Sequence, residues 1–207
     1  MQEWEGYTCD DFPFTDFPPG ARVLDVGCGD GGQLRALRAA GCVAVGVDPD
    51  ANTVNVLRGE GLDVHRGVAE ALPVAPSSFD GLVCKVVLPY CDERKAILEW
   101  SRVLKPGAAV RACYHGAGYY LRYLVEGGAR GRRVYAMRCL VNTWTYAVSG
   151  HRLPGWLGDT IYQSRRRLAR WYAAAGLKVE SERAGKAYAS WPVFVYHVLR
   201  YQGRQTP

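Results

Sequence analysis

The amino-acid sequence predicts an α/β fold: a doubly wound, mostly parallel seven-stranded sheet with helices on both faces and a C-terminal antiparallel hairpin. Three observations predict it. Apolar segments alternate with helical segments over residues 22–114, and the loops between them are short. A glycine-rich turn follows the first apolar segment, and two β-like segments near the C-terminus have no helix between them. Such alternation implies right-handed crossovers and a parallel sheet covered on both faces.

The strands and helices follow one another in a regular order. Short apolar segments predict strands at Arg22–Val26, Val43–Asp48, 63–67, Gly81–Val87 and 108–114. Helical spacing, with start and stop signals, predicts helices at Gly32–Ala40, 51–61, 93–104 and 164–176. Pro49 suits the start of the second helix, and Asp92 suits the cap of the third. Residues 177–185 and 192–201 then form the hairpin.

The first strand runs into a glycine-rich turn and then into a helix. Residues 23–32 read VLDVGCGDGG, in which Gly27, Gly29 and Gly32 satisfy the spacing G-x-G-x-x-G. Glycines accept positive φ angles and let a ligand approach the backbone, and the helix points free N–H groups at the turn. Asp48, which ends the second strand, is placed to accept hydrogen bonds from ribose hydroxyls. The sequence therefore predicts a site for a nucleoside-bearing cofactor.

An acidic residue before the glycines indicates which nucleoside binds. Asp25 lies two residues before Gly27, where a carboxylate repels a pyrophosphate but attracts an ammonium group. Asp25 with Gly27, Gly29 and Gly31 resembles the first motif of the class I S-adenosylmethionine-dependent methyltransferases, an acidic residue followed by G-x-G-x-G. The C-terminal hairpin is also similar to that family's seven-stranded fold. The resemblance implies S-adenosylmethionine as cofactor and S-adenosylhomocysteine as product.

The resemblance covers residues 20–115 and 164–201 and implies a set of cofactor-binding residues. They are Asp25, Gly27, Cys28, Gly29, Gly31, Asp48, Pro49, Val68, Ala69, Glu70 and Lys85. The first five surround the methionine portion, and Asp48 binds the ribose. Val68 stands where the family usually has an acidic residue that contacts adenine, so we expect backbone groups and apolar packing to recognise the base. Lys85 contacts the cofactor carboxylate or an acidic substrate, or else extends to solvent.

The acceptor side of the predicted site depends on His115 and Tyr90. Methyl transfer from a sulfonium is an in-line displacement, which requires alignment, exclusion of water and deprotonation of a hydroxyl or thiol acceptor. We expect His115, just beyond the fifth strand, to be the general base and Tyr90 to line the acceptor pocket. His151 is a second candidate base. The alternative for these residues is a structural role, as a hydrogen-bonded histidine or a core aromatic.

The chain is expected to divide into three parts. These are an N-terminal entry segment at 1–20, the α/β domain at 21–114 with 164–201, and an inserted segment at 115–163. The insertion has helical spacings that predict short amphipathic helices, such as Met137, Leu140, Val141 and Trp144. It follows a strand at the carboxyl edge of the sheet, where ligands bind in open α/β proteins. We interpret it as a helical cap over the acceptor; a peripheral packing element is the alternative.

The positive charge is concentrated in one segment. The formal net charge is +6, yet residues 111–170 contain eleven arginines and two acidic residues. The clusters at 130–133 and 164–170 have the composition that binds a phosphate backbone. Consecutive helical residues point in different directions, however, which favours a solvated helix surface over a phosphate-binding stripe. We therefore favour a small-molecule acceptor, anionic if an arginine contacts it, over RNA.

Composition excludes several other classes of protein. No apolar segment reaches the length of a membrane span, and the acidic, aromatic N-terminus resembles neither a signal peptide nor a basic transit peptide. The seven cysteines contain no C-x-x-C pair, which predicts buried thiols in a reducing cytoplasm and no metal site. Two hypotheses compete with a small-molecule methyltransferase, namely an RNA methyltransferase and a non-catalytic S-adenosylmethionine-binding domain. A nicotinamide oxidoreductase is the least favoured, and the sequence does not indicate the oligomeric state.

Overall fold

A computed structural model describes Cys9 and residues 12–126, 130–153 and 160–203. The strands are β1 (Arg22–Val26), β2 (Val43–Asp48), β3 (Asp63–Arg66), β4 (Phe79–Lys85), β5 (Leu104–His115), β6 (Leu177–Ala184), β7 (Ala187–Tyr188), β8 (Trp191–Pro192) and β9 (Phe194–Tyr201). The helices are α1 (Gly32–Ala39), α2 (Ala51–Gly59), α3 (Glu93–Val103), α4 (Ala117–Val125), α5 (Arg130–Ser149) and α6 (Arg165–Ala174). A single 3-10 turn at Leu88–Tyr90 lies between β4 and α3.

Seven strands form one sheet in the order β3-β2-β1-β4-β5-β9-β6. The first five in this order pair in parallel, whereas β9 pairs antiparallel with both β5 and β6. The predicted α/β fold with a C-terminal hairpin is therefore confirmed. The strand order reverses between β1 and β4, and the loops that follow these two strands meet at one edge of the sheet. In open α/β proteins this switch point is where ligands bind.

The sheet buries both of its faces, as a parallel sheet must. Side chains of a strand alternate between faces, so Val23 belongs to one core while its neighbours Leu24 and Val26 belong to the other. The larger core includes the fully buried Trp100 of α3. The other core includes Phe17 from the segment that precedes β1. Both cores therefore hold the carboxyl ends of β1, β2 and β4 in fixed positions.

Three details of the fold differ from the sequence-based expectations. Helix α2 begins at Ala51, not at Pro49, because Asp50 is its N-cap and accepts hydrogen bonds from the N–H groups of Asn52 and Thr53. Strand β5 begins at Leu104, whereas the sequence predicted a helix up to residue 104 and a strand only from residue 108. The connection between β6 and β9 carries the short β7–β8 ladder. The capping of α2 and the β7–β8 ladder are local features, whereas the early start of β5 comes from the pairing of Leu104 with Phe79 of β4.

The insertion forms two helices, and the second is longer than expected. Helix α5 has 20 residues, where the spacing predicted only short helices. Residues 127–129 and 154–159 of the insertion, and residues 1–8, 10 and 11 of the entry segment, lie outside the described residues. Within the part of the chain that the structure describes, no helix is long and apolar enough to span a bilayer.

Candidate active site

The turn between β1 and α1 consists of glycines with left-handed backbone conformations. Gly27, Gly29 and Gly31 have φ angles of 74°, 50° and 77°, which side-chain-bearing residues adopt only at a cost. The N–H of Gly27 donates a hydrogen bond to the carbonyl of Val47 at 2.7 Å. A Cβ atom on Gly27 would lie 2.3 Å from Cγ2 of Val87. The turn therefore lies directly against β2 and against the segment that follows β4.

Asp48 connects this turn to the end of β2. Its Oδ2 accepts a hydrogen bond from the N–H of Gly29 at 3.0 Å, and its Oδ1 accepts one from the N–H of Asp50 at 2.9 Å. Each carboxylate oxygen keeps further acceptor capacity after one such bond. A Cβ atom on Gly29 would meet no atom within 4 Å. The carboxylate thus lies beside an open part of the turn.

Asp25 is the buried acidic group of the site. It is 1% exposed, and its Oδ2 has no hydrogen-bond partner among the described residues. Burial raises the pKa of this carboxyl from 3.8 to about 7, the positive charge of Lys85 lowers it, and the charges of Asp48 and Asp30 raise it. An unpartnered buried carboxylate is costly unless a cation or donor meets it. This atom therefore points to a positively charged ligand.

Lys85 is the last residue of β4 and lies at the same edge of the sheet as the glycine turn, because β1 and β4 are parallel neighbours. Its Nζ lies 5.6 Å from the centroid of the Phe14 ring, within the range of a cation–π interaction. The next residue, Val86, has a φ angle of 62°, which is rare for a β-branched residue. Its N–H donates to the carbonyl of Cys113 at 2.8 Å. The strained turn after β4 is the kind of backbone feature that clusters at functional sites.

The remaining predicted cofactor residues lie around the ends of β1, β2 and β3. Cys28 is buried, and burial raises the pKa of its thiol to about 12, so the group is a neutral thiol at physiological pH. Pro49 is exposed and Ala69 is buried. Val68 is 46% exposed. Glu70 accepts a hydrogen bond from the N–H of Asp92 at 2.8 Å, so its carboxylate is engaged at the start of α3.

His115, at the end of β5, is enclosed by aromatic rings. Its ring stacks on Tyr119 with 3.6 Å between ring centroids and 6° between planes. The rings of Tyr90, Tyr120 and Phe194 lie 5.7–6.4 Å away. His115 is 4% exposed, its Nδ1 has no partner among the described residues, and burial lowers its pKa to about 3. The imidazole is therefore neutral at physiological pH and is a weak base.

Phe194 is a member of this cluster that the sequence reasoning missed. It begins β9 and pairs with His115 across the antiparallel ladder. The signal that places it there is the hairpin register, which requires knowing where β9 inserts in the sheet. His151, the second candidate base, is exposed and its Nδ1 lies 2.8 Å from the carbonyl of Ser149. His115 is thus the buried candidate and His151 the surface one.

Several arginines of the basic segment are paired within the chain. Their partners are acidic side chains or a backbone carbonyl: Arg111 with Asp16, Arg122 with Glu126, Arg152 with the Tyr90 carbonyl, Arg165 with Glu182 and Arg167 with Glu93. The Arg122–Glu126 pair is local to α4, whereas the others join distant parts of the chain. All of them use donors that would otherwise be available to a phosphate backbone. Among the described residues, no cluster of His, Cys, Asp or Glu has the arrangement of a metal site.

The site fits S-adenosylmethionine on two structural observations. The unpartnered Oδ2 of Asp25 provides an acceptor for an ammonium group beside the glycine turn. The open space at Gly29, next to the Asp48 carboxylate, leaves room for a ribose at the end of β2. A dinucleotide pyrophosphate would instead meet the negative charges of Asp25, Asp30 and Asp48, which already act on one another.

Comparisons with known proteins agree with this geometry. Residues 24–112 match the family model described as a methyltransferase domain. The chain is 36% identical over 93 residues to a malonyl-[acyl-carrier protein] O-methyltransferase of Enterobacter lignolyticus, covering 44% of this chain and 37% of that protein. It is 30% identical over 128 residues to a ubiquinone biosynthesis O-methyltransferase of Xylella fastidiosa, covering 52% of each. The chain thus spans about half the length, or less, of these curated relatives.

The fold is shared with solved structures along nearly the whole chain. A S-adenosylmethionine-dependent methyltransferase of Methanosarcina mazei superposes with a TM-score of 0.67 at 16% identity, covering 91% of this chain and 95% of that one. At this identity the likeness concerns the fold. This shared fold and the sequence match from β1 to β5 both agree with the observed order of the strands and with Asp25 beside the glycine turn. The chain thus has the fold of solved S-adenosylmethionine-dependent methyltransferases, and its residues 24–112 match the methyltransferase domain.

Proposed function

We propose that this protein transfers a methyl group from S-adenosylmethionine to an oxygen atom of a small-molecule acceptor. The observation that carries the proposal is the buried, unpartnered carboxylate of Asp25 beside a turn of left-handed glycines. The choice of oxygen is supported by the relatives, which are named O-methyltransferases. We further propose that residues 115–163, which include α4 and α5, form the cap over the acceptor.

The cofactor residues divide into three groups in this proposal. Asp25 would pair with the ammonium group, with Gly27, Cys28, Gly29 and Gly31 around the methionine portion. Asp48 would accept hydrogen bonds from the ribose hydroxyls, and Pro49 would contact the same region. Val68, Ala69 and Glu70 would line the adenine through backbone and apolar contacts, because the Glu70 carboxylate is engaged with Asp92. When bound, the cofactor supplies an electrophilic methyl group attached to a sulfonium.

Lys85 has a supporting role in this arrangement. Its charge acts on Asp25, and its ammonium group lies near the Phe14 ring. It would pair with the cofactor carboxylate or with an anionic group of the acceptor. The charge of Lys85 lowers the pKa of Asp25, which favours the ionised carboxylate that the ammonium group of the cofactor would bind.

His115 and Tyr90 would form the acceptor side of the site. Because burial lowers the pKa of His115 to about 3, we propose that it orients the acceptor hydroxyl as a neutral imidazole through its unpartnered Nδ1. The aromatic rings around it exclude water, which protects a reactive donor and strengthens the polar contacts within the site. Tyr90, which is 52% exposed, would contact the acceptor from the outside.

A small-molecule acceptor is favoured over RNA because several arginines of the basic segment pair with groups of the same chain. Arg111, Arg122 and Arg167 each pair with a carboxylate of the same chain. An RNA-binding surface needs several arginine or lysine side chains that are available to contact phosphates. A cytoplasmic location is part of the proposal, since six of the seven cysteines are buried as thiols and none forms a disulfide bond.

Calorimetry with S-adenosylhomocysteine tests the cofactor site. We expect binding by the wild type and its loss in Asp25→Ala. Tritium-labelled S-adenosylmethionine, incubated with the protein and small-molecule cell extract, tests the reaction. Label in a low-molecular-weight product that alkaline hydrolysis or demethylation releases from oxygen supports the proposal. Binding without transfer would indicate a non-catalytic domain, label in RNA would indicate the competing substrate class, and absence of binding would reject both the cofactor and the function.

The role of His115 is tested with His115→Phe, which keeps an aromatic ring against Tyr119. We expect unchanged S-adenosylhomocysteine affinity and a fall in label transfer of about 100-fold or more, within the range found for lost acid–base or orienting groups. At saturating S-adenosylmethionine, the pH profile of transfer by the wild type should show no histidine ionisation near the ordinary value of 6.5, since the imidazole stays neutral above pH of about 3; the Asp25 ionisation near 7 acts on cofactor affinity. Full transfer by the variant would contradict the assignment.

A further inference from the structure

Helix α5 has a buried face and, opposite it, an exposed apolar face. One face packs into the protein through residues that are at most 5% exposed, namely Ala136, Cys139, Asn142 and Tyr146. The opposite face is 42–71% exposed, and we call its residues the α5 stripe: Val134, Met137, Leu140, Val141, Trp144 and Val148. A surface helix ordinarily has one apolar face and one charged or polar face, whereas a helix that is apolar all round is buried. The α5 stripe is therefore exposed to solvent although its composition is that of a buried surface.

The α5 stripe has the spacing of a helix–helix contact. Apart from Leu140, its members follow one another at alternating steps of three and four residues, from Val134 to Val148. This spacing aligns side chains along one side of a helix, and it is the spacing by which one helix packs along another. A contiguous apolar face with an exposed tryptophan at its centre is typical of an interaction site.

The charges of α5 select the orientation of a partner helix. All are arginines in its first half, while residues 139–149 are uncharged. Arg132 and Arg133 are exposed, next to the helix N-terminus, where the macrodipole disfavours positive charge. In an antiparallel pair of identical helices, these arginines lie beside the uncharged C-terminal half of the other copy, where the dipole favours them. A parallel pair would set arginines against arginines.

We propose that the α5 stripe is the interface of a homodimer, in which two copies of α5 pack antiparallel about a two-fold axis near Val141. In a two-fold symmetric interface the same surface patch of both copies makes the contact, so the patch must be self-complementary. The stripe does so, because Val134 and Val148 lie at equal distances on either side of Val141. Its six exposed apolar side chains supply part of the ~800 Å² that each partner buries in an ordinary stable interface.

A membrane surface fits the same stripe less well. A helix that lies in a bilayer interface carries its basic residues on a polar face opposite the apolar one. In α5 the face opposite the stripe is occupied by Ala136, Cys139 and Tyr146, which pack into the protein. The exposed arginines of α5 are confined to its N-terminal half, so no charged face runs along the helix for the headgroups, and a second copy of the chain is the occupant that its charge pattern favours.

Sedimentation equilibrium of the full chain tests the dimer. We expect a dimer at micromolar concentration, and we expect Val141→Glu and Trp144→Glu to raise the dimer dissociation constant by at least about 30-fold, because each would bury an unpaired charge. Val56→Glu is the matched control, since Val56 is 61% exposed on α2 and lies outside the stripe. Circular dichroism confirms that the variants fold. A monomeric wild type, or a dimer that both stripe variants retain, would overturn the proposal.

Crosslinking tests the orientation. Val141→Cys lies at the proposed axis, so a short bis-maleimide should join two copies of this variant. Val134→Cys should not crosslink, since two such positions are about 20 Å apart in an antiparallel pair. The wild type controls for Cys9, which is the partly exposed native thiol. Crosslinking of both variants would reject the antiparallel arrangement, and a monomer that sediments with vesicles of phosphatidylcholine and phosphatidylglycerol would assign the stripe to a membrane instead.

Discussion

The carboxylate of Asp48 accepts a hydrogen bond from the backbone N–H of Gly29 at 3.0 Å. The end of β2 thereby fixes the glycine turn that follows β1, although 19 residues separate the two groups along the chain. Asp48 thus has two tasks in the proposed site: it holds the turn in place and it presents its remaining lone pairs to the ribose. Asp50 caps α2, so a comparison of substitutions at Asp48 and at Asp50 distinguishes these two tasks from helix capping.

Asp48→Ala is expected to weaken S-adenosylhomocysteine binding by about 1–3 kcal/mol, through loss of charged hydrogen bonds. Asp50→Ala is the matched control, because Asp50 caps α2 through the N–H groups of Asn52 and Thr53. Its loss should reduce the free energy of unfolding by about 1 kcal/mol and leave the affinity unchanged. Titration calorimetry and urea unfolding measure both quantities. Equal affinities for the two variants would remove Asp48 from the ribose site.

Asp25→Asn is expected to change stability and binding in opposite directions. The folded-state pKa of Asp25 is about 7, raised by burial from its usual 3.8, so the folded protein holds a proton that the unfolded chain has lost. Stability therefore falls as pH rises from about 4 to about 7, by up to ~4 kcal/mol. Asparagine does not ionise, so the ligand-free variant should melt above the wild type at pH 8 and near it at pH 4.

The binding half of this prediction follows from the same ionisation. An ammonium group pairs with the ionised form of Asp25, so wild-type affinity for S-adenosylhomocysteine should rise as pH increases through about 7. Binding at pH 7 should also release protons, which calorimetry detects in buffers of different ionisation enthalpy. Asp25→Asn should lose both the affinity and the proton release. Melting curves that shift in parallel with pH for both proteins would contradict the assignment of this ionisation to Asp25.

Gly29→Ala is expected to block the cofactor site without a large loss of stability. A Cβ at this position meets no protein atom within 4 Å, so it would occupy the space assigned to the ligand. Gly61→Ala is the control, because Gly61 also has a positive φ and open space around it. Both variants should lose about 1–2 kcal/mol of stability through left-handed backbone strain. Only Gly29→Ala should lower S-adenosylhomocysteine affinity, by at least about tenfold.

The parallel part of the fold was predictable because its signals are local. Strand β1, the glycines after it and Asp48 at the end of β2 are read directly from consecutive residues, and the structure brings these elements together in the expected order. The hairpin was predictable for the same reason, since no helix separates its strands. The position of β9 between β5 and β6 was not predictable, because it depends on which strand edge is free after the parallel strands have paired.

The surroundings of the candidate acceptor site were less predictable. The approach of Phe194 and Tyr119 to His115 depends on the register of β9 and on the angle of α4, neither of which has a local signal. Helix periodicity also fails to identify which apolar face of α5 is buried. Met137 and Trp144 have the spacing of a packed face, yet they are exposed, while Cys139 and Tyr146 are buried.

The buried ion pair of Glu93 and Arg167 joins α3 to α6, and its loss should be costly. Glu93 is fully buried and also accepts a hydrogen bond from the indole N–H of Trp171 at 3.2 Å. Glu93→Ala leaves Arg167, whose side chain is 15% exposed, without its carboxylate, which should reduce the free energy of unfolding by about 3–5 kcal/mol. Glu180→Ala is the control, because its pair with Arg200 is exposed and should contribute less than about 1 kcal/mol. Urea unfolding of the two variants measures the difference, and equal losses would show that burial does not strengthen the Glu93 pair.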